Sequence, residues 1–83
     1  MPAPPIALVT GASRGIGAAT ALACARAGYD VAVNYVRDAA AADAVVAQVR
    51  ALGRRAIAVA ADVSQEAEVL RLFAAVDADL GPL

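Results

Sequence analysis

Three short apolar runs punctuate the chain: Ile6-Ala7-Leu8-Val9, Val31-Ala32-Val33-Asn34-Tyr35 and Ala56-Ile57-Ala58-Val59-Ala60-Ala61. A continuous apolar run without alternation reads as a strand buried on both faces. Between and after these runs the apolar residues recur at helical spacing. An alanine-rich helix is predicted from Gly15 to Ala27, with Gly28 as its stop. Asp38 is placed to cap a second helix, which carries Ala42, Val45, Val46, Val49 and Leu52 as a one-sided stripe and ends at Gly53. Ser64 is placed to cap a third, with Glu66 and Glu68 near its positive end and Val69, Leu72, Phe73, Val76 and Leu80 as its stripe. Gly81-Pro82 breaks that helix. Strand and helix alternate three times, the pattern of an α/β fold with right-handed crossovers and a parallel sheet.

The segment between the first strand and the first helix is Thr10-Gly11-Ala12-Ser13-Arg14-Gly15-Ile16-Gly17. Gly11 suits a sharp exit from the strand, Gly15 leaves room for a diphosphate against the backbone, and Gly17 allows the helix to sit close to the sheet. The helix N-terminus offers unpaired N–H groups and a partial positive charge to an anion. A glycine triplet alone is a weak signal, but here it follows an apolar strand and opens a helix, the context that dinucleotide binding requires. The rival ATP- and GTP-binding loop needs a lysine after its last glycine, and the chain contains none.

Composition narrows the options further. The chain has 83 residues, 61% hydrophobic and 18% charged, which places it in the globular class. All seven basic residues are arginine, and the net charge is −1. No basic footprint for nucleic acid or for an acidic membrane surface is expected. Histidine is absent, which excludes histidine-based metal sites and a Ser-His-Asp or Cys-His centre within these residues. The single cysteine, Cys24, reads as a small apolar residue on a helix and fits a reducing compartment. The proline-rich start Met1-Pro2-Ala3-Pro4-Pro5 does not resemble a signal peptide, and no run is long enough for a membrane span. A cytoplasmic protein is expected. The alanine- and arginine-rich, lysine-free composition hints at a GC-rich bacterial source.

Thr10 to Gly17 match Thr-Gly-x3-Gly-Ile-Gly at every fixed position, and this segment resembles the opening motif of the short-chain dehydrogenase/reductase family. Asn34-Tyr35 at the end of the second strand is similar to bacterial reductases and sugar dehydrogenases of that family. Asp62-Val63 falls where the family contacts adenine. The resemblance runs from Ile6 to Leu83. It implies a three-layer Rossmann-type sheet, of which this βαβαβα segment forms three strands in the order 3-2-1. It also implies that residues 1–83 are the N-terminal part of a single dinucleotide-binding domain, the remainder being absent. Ser13, Arg14 and Ile16 are then expected to join the glycines around the cofactor phosphates. The Asp62 carboxylate is expected to accept from the adenine amino group and the Val63 backbone N–H to meet the ring. The plainer alternative for Asp62 is a residue that caps the next helix.

Cofactor preference has its own signal. An enzyme that selects NAD commonly places a carboxylate at the end of the second strand, about 20 residues beyond the glycine loop, to bind the ribose 2′-hydroxyl. This chain has Asn34 there, followed by Tyr35. A 2′-phosphate would be repelled by a carboxylate and bound by arginine. Arg14 lies inside the loop and Arg37 just past the strand, although Arg37 also reads as a solvated charge. In the family a basic residue at the Arg14 position goes with NADP. NADP(H) is therefore expected over NAD(H). Arg26, Arg50, Arg54, Arg55 and Arg71 are expected to be solvated surface residues.

The family's reaction is hydride transfer between the nicotinamide and a carbonyl or alcohol. A tyrosine acts as acid/base, tuned by a nearby lysine, and a serine orients the substrate. Tyr29 and Tyr35 both lie near the second strand and lysine is absent, so no catalytic residue is assigned in this chain. Three strands in this order would leave Ile6–Val9 as an exposed apolar edge, which is expected to drive self-association. A homo-oligomer is expected of the complete enzyme. The competing readings are a non-catalytic dinucleotide-binding module and an inactive fragment, since function resides in the site rather than in the fold.

Overall fold

Residues 3–83 are described by a computed structural model. The elements run β1 (Ile6–Val9), α1 (Gly15–Arg26), β2 (Asp30–Tyr35), α2 (Ala39–Ala51), β3 (Ala56–Ala60) and α3 (Glu66–Asp79). The three strands form one parallel sheet in the order β1-β2-β3, with Val9 beside Val33 and Tyr35 beside Ala60. The expected 3-2-1 order is therefore observed, with β2 central and β1 at an edge.

β2 alternates its side chains between two cores. Val31 and Val33 join Ala21 and Ala25 of α1 and Val45, Val46 and Val49 of α2 on one face. Ala32 joins Val59, Leu72, Val76 and Leu80 on the other, under α3. The sheet is thus covered on both faces, which explains why β2 is apolar at successive positions. Alanines on the inner side of α1 let that helix approach the sheet closely, and Ala21 is completely buried. Cys24 is half-buried against this first core. Each fully buried valine contributes about 1.5–3 kcal/mol of hydrophobic stabilisation before entropy is subtracted.

Several sequence expectations shift. β2 starts at Asp30 and β3 stops at Ala60, each one residue from the apolar run. Leu52 and Phe73 belong to the apolar stripes by spacing, yet both are exposed, because Leu52 is the C-cap of α2 and Phe73 lies on the outer side of α3. Asp38 caps α2 as expected, its Oδ1 accepting from the Ala41 N–H at 3.0 Å. Ser64 does not cap α3. The N-cap is Gln65, without a side-chain bond, and Ser64 instead donates its hydroxyl and N–H to Asp62 Oδ1.

Four of the five arginines expected to be merely solvated fasten backbone. Arg50 donates to the Ala56 carbonyl at 2.9 Å, Arg54 to the Gly28 carbonyl at 3.1 Å, and Arg71 to the Ala60 carbonyl. Arg55 pairs with the buried Asp30 carboxylate at 3.0 Å and also donates to the Leu80 carbonyl at the end of α3. Arginine's planar fork permits several such bonds while its stem lies along the surface. Among the described residues, no helix is long and apolar enough to cross a membrane.

Candidate functional site

The turn after β1 and the end of β2 enclose a pocket of about 260 Å³. Gly11, Ser13 and Arg14 line it from the turn, and Tyr35, Val36, Arg37 and Asp38 from the strand end. It lies outside the carboxyl ends of parallel strands, where ligands bind in open α/β sheets.

The three glycines divide the work of the turn. Gly11 and Gly15 hold φ of +59° and +63°, the left-handed region that glycine adopts without strain. A Cβ built on Gly15 would meet nothing within 4 Å, so that position opens onto free space. A Cβ on Gly17 would lie 2.2 Å from the Gly11 carbonyl oxygen, so only glycine lets α1 begin this close to the turn. The N-cap of α1, Arg14, is extended and makes no side-chain capping bond, and the first turn carries no acidic residue. The first-turn N–H groups are therefore left for an acceptor from outside the helix. Ile16 in that turn is 87% exposed.

The pocket's charge is predominantly positive. Arg14 and Arg37 both line it, and neither forms an ion pair among the described residues. Asp38 also lines it, but its carboxylate already accepts the Ala41 N–H as the cap of α2.

The residues nominated from the sequence are brought together unevenly. Gly11, Ser13, Arg14, Tyr35 and Arg37 line one pocket, and Gly15, Ile16 and Gly17 form the adjoining first turn of α1. Asn34 lies elsewhere: it is 1% exposed, and its side chain points into the protein. Its Oδ1 accepts from Gly11 N–H at 3.3 Å, while Nδ2 donates to the Val59 and Ala61 carbonyls at 3.3 and 3.1 Å. Counting residues from the glycine loop lands on Asn34, but the strand end that faces the pocket is Tyr35-Val36. Val36 and Asp38 carry no sequence signal for the pocket and reach it through the register of β2 beside the turn.

Asp62 and Val63 follow β3 and do not line this pocket. Both are exposed. The Ser64 hydroxyl, with help from its N–H, holds the Asp62 carboxyl below the usual carboxylate range. Both bonds use Oδ1, leaving Oδ2 without a partner among the described residues. The Ala61 N–H donates to the Tyr35 carbonyl at 3.0 Å and so joins this segment to the end of β2.

Residues 5–83 match the family model described as short chain dehydrogenase. The chain belongs to this family. A 3-oxoacyl-[acyl-carrier-protein] reductase of Synechocystis is 60% identical over 68 residues, covering 82% of this chain and 28% of that reductase. An oxidoreductase of Escherichia coli named YgfF is 49% identical over 78 residues, covering 94% of this chain and 32% of its own length. Among solved structures, the reductase LugOII, which catalyses keto-reduction at C1 in lugdunomycin biosynthesis, superposes with a TM-score of 0.82 at 43% identity. That superposition covers 95% of this chain and 33% of LugOII. This short-chain dehydrogenase chain thus spans about a third of the length of the relatives it matches. The family is one of oxidoreductases that use a nicotinamide dinucleotide.

Proposed function

We propose that this chain forms the cofactor-binding part of an oxidoreductase that transfers a hydride between NADP(H) and a carbonyl or alcohol substrate. The observation that carries the reading is the convergence of Arg14 and Arg37 on one pocket beside the open N-terminus of α1. The residues present fit a dinucleotide: among the described residues the first-turn N–H groups of α1 have no acceptor, the space at Gly15 is open, and the two arginines have no carboxylate partner. In this reading the amides of Gly15, Ile16 and Gly17 bind the diphosphate, and Arg14 and Arg37 clamp the 2′-phosphate. Tyr35 and Val36 give the adenosine a wall in place of a ribose-binding carboxylate. Asp62, through Oδ2, and the Val63 N–H receive the adenine edge. When bound, the nicotinamide supplies or accepts the hydride. The 83 residues contain no lysine, so they do not form the tyrosine–lysine pair that the family resemblance implies, and their part is to bind and orient. The reading also takes the protein to be cytoplasmic and its complete form to be a homo-oligomer.

Calorimetric titration of the full chain, as its gene encodes it, tests the cofactor preference. NADPH is expected to bind at least about tenfold more tightly than NADH, since charge-assisted bonds to a phosphate contribute about 1.5–3 kcal/mol each. Arg14→Ala and Arg37→Ala should each shrink that ratio. Tighter binding of NADH, with neither variant altering it, overturns the reading.

A further inference from the structure

Asn34 sits one residue before the end of the central strand, buried, with backbone groups from two other segments meeting its amide. Gly11 N–H donates to Oδ1 at 3.3 Å. Nδ2 donates to the carbonyls of Val59 at 3.3 Å and Ala61 at 3.1 Å. The Asn34 backbone carbonyl accepts from Ala12 N–H at 2.9 Å, a second link to the same turn. The surroundings fix the amide's orientation, because an N–H can only donate and carbonyls can only accept. Both Nδ2 protons are used inside the protein, so the side chain has no donor to offer a ligand.

We propose that Asn34 is a positioning residue whose side-chain amide fastens the glycine turn to the end of β3. The phosphate-facing turn and the Asp62-Val63 segment are then held as one unit. The inference rests on the proposed function for its purpose but not for its geometry. Gly11 and Gly15 both adopt left-handed backbone, and an ideal Cβ on either meets nothing within 4 Å among the described residues, so no side-chain packing at the Cβ position holds either glycine. Glycine has the most backbone freedom to lose, and a turn left loose would have to be ordered at the moment of binding, weakening affinity. A buried side chain that already orders the turn removes that cost beforehand.

No other residue of this size meets these demands. Leucine would leave the Gly11 N–H and two carbonyls without their bonds. Aspartate would present acceptors to two carbonyls unless protonated, and burial together with those carbonyls favours the protonated form. Protonated aspartate restores the acceptor for Gly11 and one of the two donors.

The test uses the full chain, with amide hydrogen exchange at Gly11 read by NMR and NADPH affinity read by calorimetry. In the wild type, Gly11 N–H should exchange at least about tenfold more slowly than Gly15 N–H, as a bonded amide does against an open one. Asn34→Asp should lose that protection and bind NADPH at least about tenfold more weakly than wild type near pH 8, and recover both toward wild type near pH 5 as the carboxyl protonates. Asn34→Leu should lose both at either pH. Wild type measured at each pH cancels the titration of the cofactor's own phosphate. Equal exchange at Gly11 and Gly15 in the wild type overturns the inference even if no variant folds. So do folded variants that keep wild-type protection and affinity throughout. A protected Gly11 with the expected pH response, in a wild-type chain that binds neither NADPH nor NADH, supports the fastening and defeats the proposed function instead.

Discussion

The carbonyl oxygen of Gly11 occupies the place where a side chain on Gly17 would begin, 2.2 Å from an ideal Cβ. The oxygen belongs to main chain and the position of a Cβ is fixed by its own backbone, so neither can rotate away. Gly17→Ala must therefore push α1 off the turn. Overpacking of this kind costs about 1–3 kcal/mol. Urea unfolding should show a loss in that range, with weaker NADPH binding because the first-turn amides move.

Gly15 differs from Gly17 in kind. Its φ of +63° disfavours any other residue, but the space beside it is open. Gly15→Ala should cost only about 1–2 kcal/mol of stability, the strain of left-handed backbone. If a diphosphate occupies that space, affinity for NADPH should fall by more than stability does. Paired unfolding and titration measurements separate the two effects.

Asp30 and Arg55 join the starts of β2 and β3, and Arg55 extends the link to the end of α3. Asp30 is 2% exposed and accepts both the Arg55 backbone N–H and its guanidinium. Arg55→Ala leaves a buried carboxylate with only its backbone donor. A loss of about 1–3 kcal/mol is expected in urea unfolding. Asp30→Ala should cost at least as much, because it leaves the Arg55 N–H without its acceptor.

The Asp62–Ser64 turn gives a pH signature. The Ser64 hydroxyl and N–H lower the Asp62 carboxyl below its ordinary range. A lowered folded-state value means the turn adds stability above the unfolded value, and that contribution is lost as pH falls through the folded one. Carboxylate NMR titration should show Asp62 rising toward the ordinary range in Ser64→Ala. The rise should be incomplete, since the Ser64 N–H remains.

Among the described residues β1 pairs only with β2, and all four of its residues are partly exposed. Leu70 and Phe73 on α3 are also exposed, at 64% and 46%. The 83-residue chain by itself should therefore associate through its open edge and apolar surface. Sedimentation should show concentration-dependent association, and a single monomeric species would contradict this.

Much of this fold was legible because burial on both faces writes itself as continuous apolar runs. Ile6–Val9 is recovered without change, and the alternation of strand and helix fixes the class. What escaped depends on partners distant in sequence. Phe73 fits the helical stripe of α3 as well as Leu72 does, and only packing decides that Leu72 is buried. Arg55 reads as a surface charge until Asp30, 25 residues earlier, is placed beside it. The distance along the chain from the glycine loop points to Asn34 for the cofactor, whereas the strand register turns it inward and gives the pocket to Tyr35 and Arg37. Glycine positions were the most readable part of the site, because each answers a local demand of the backbone.

In the proposed function the amides opening α1 bind the cofactor's phosphates. Amide NMR of the full chain titrated with NADPH tests it most directly. The largest shifts are expected at Gly15, Ile16 and Gly17, with smaller ones at Tyr35 and Arg37. Saturating NADPH that leaves those three amides unmoved would contradict it.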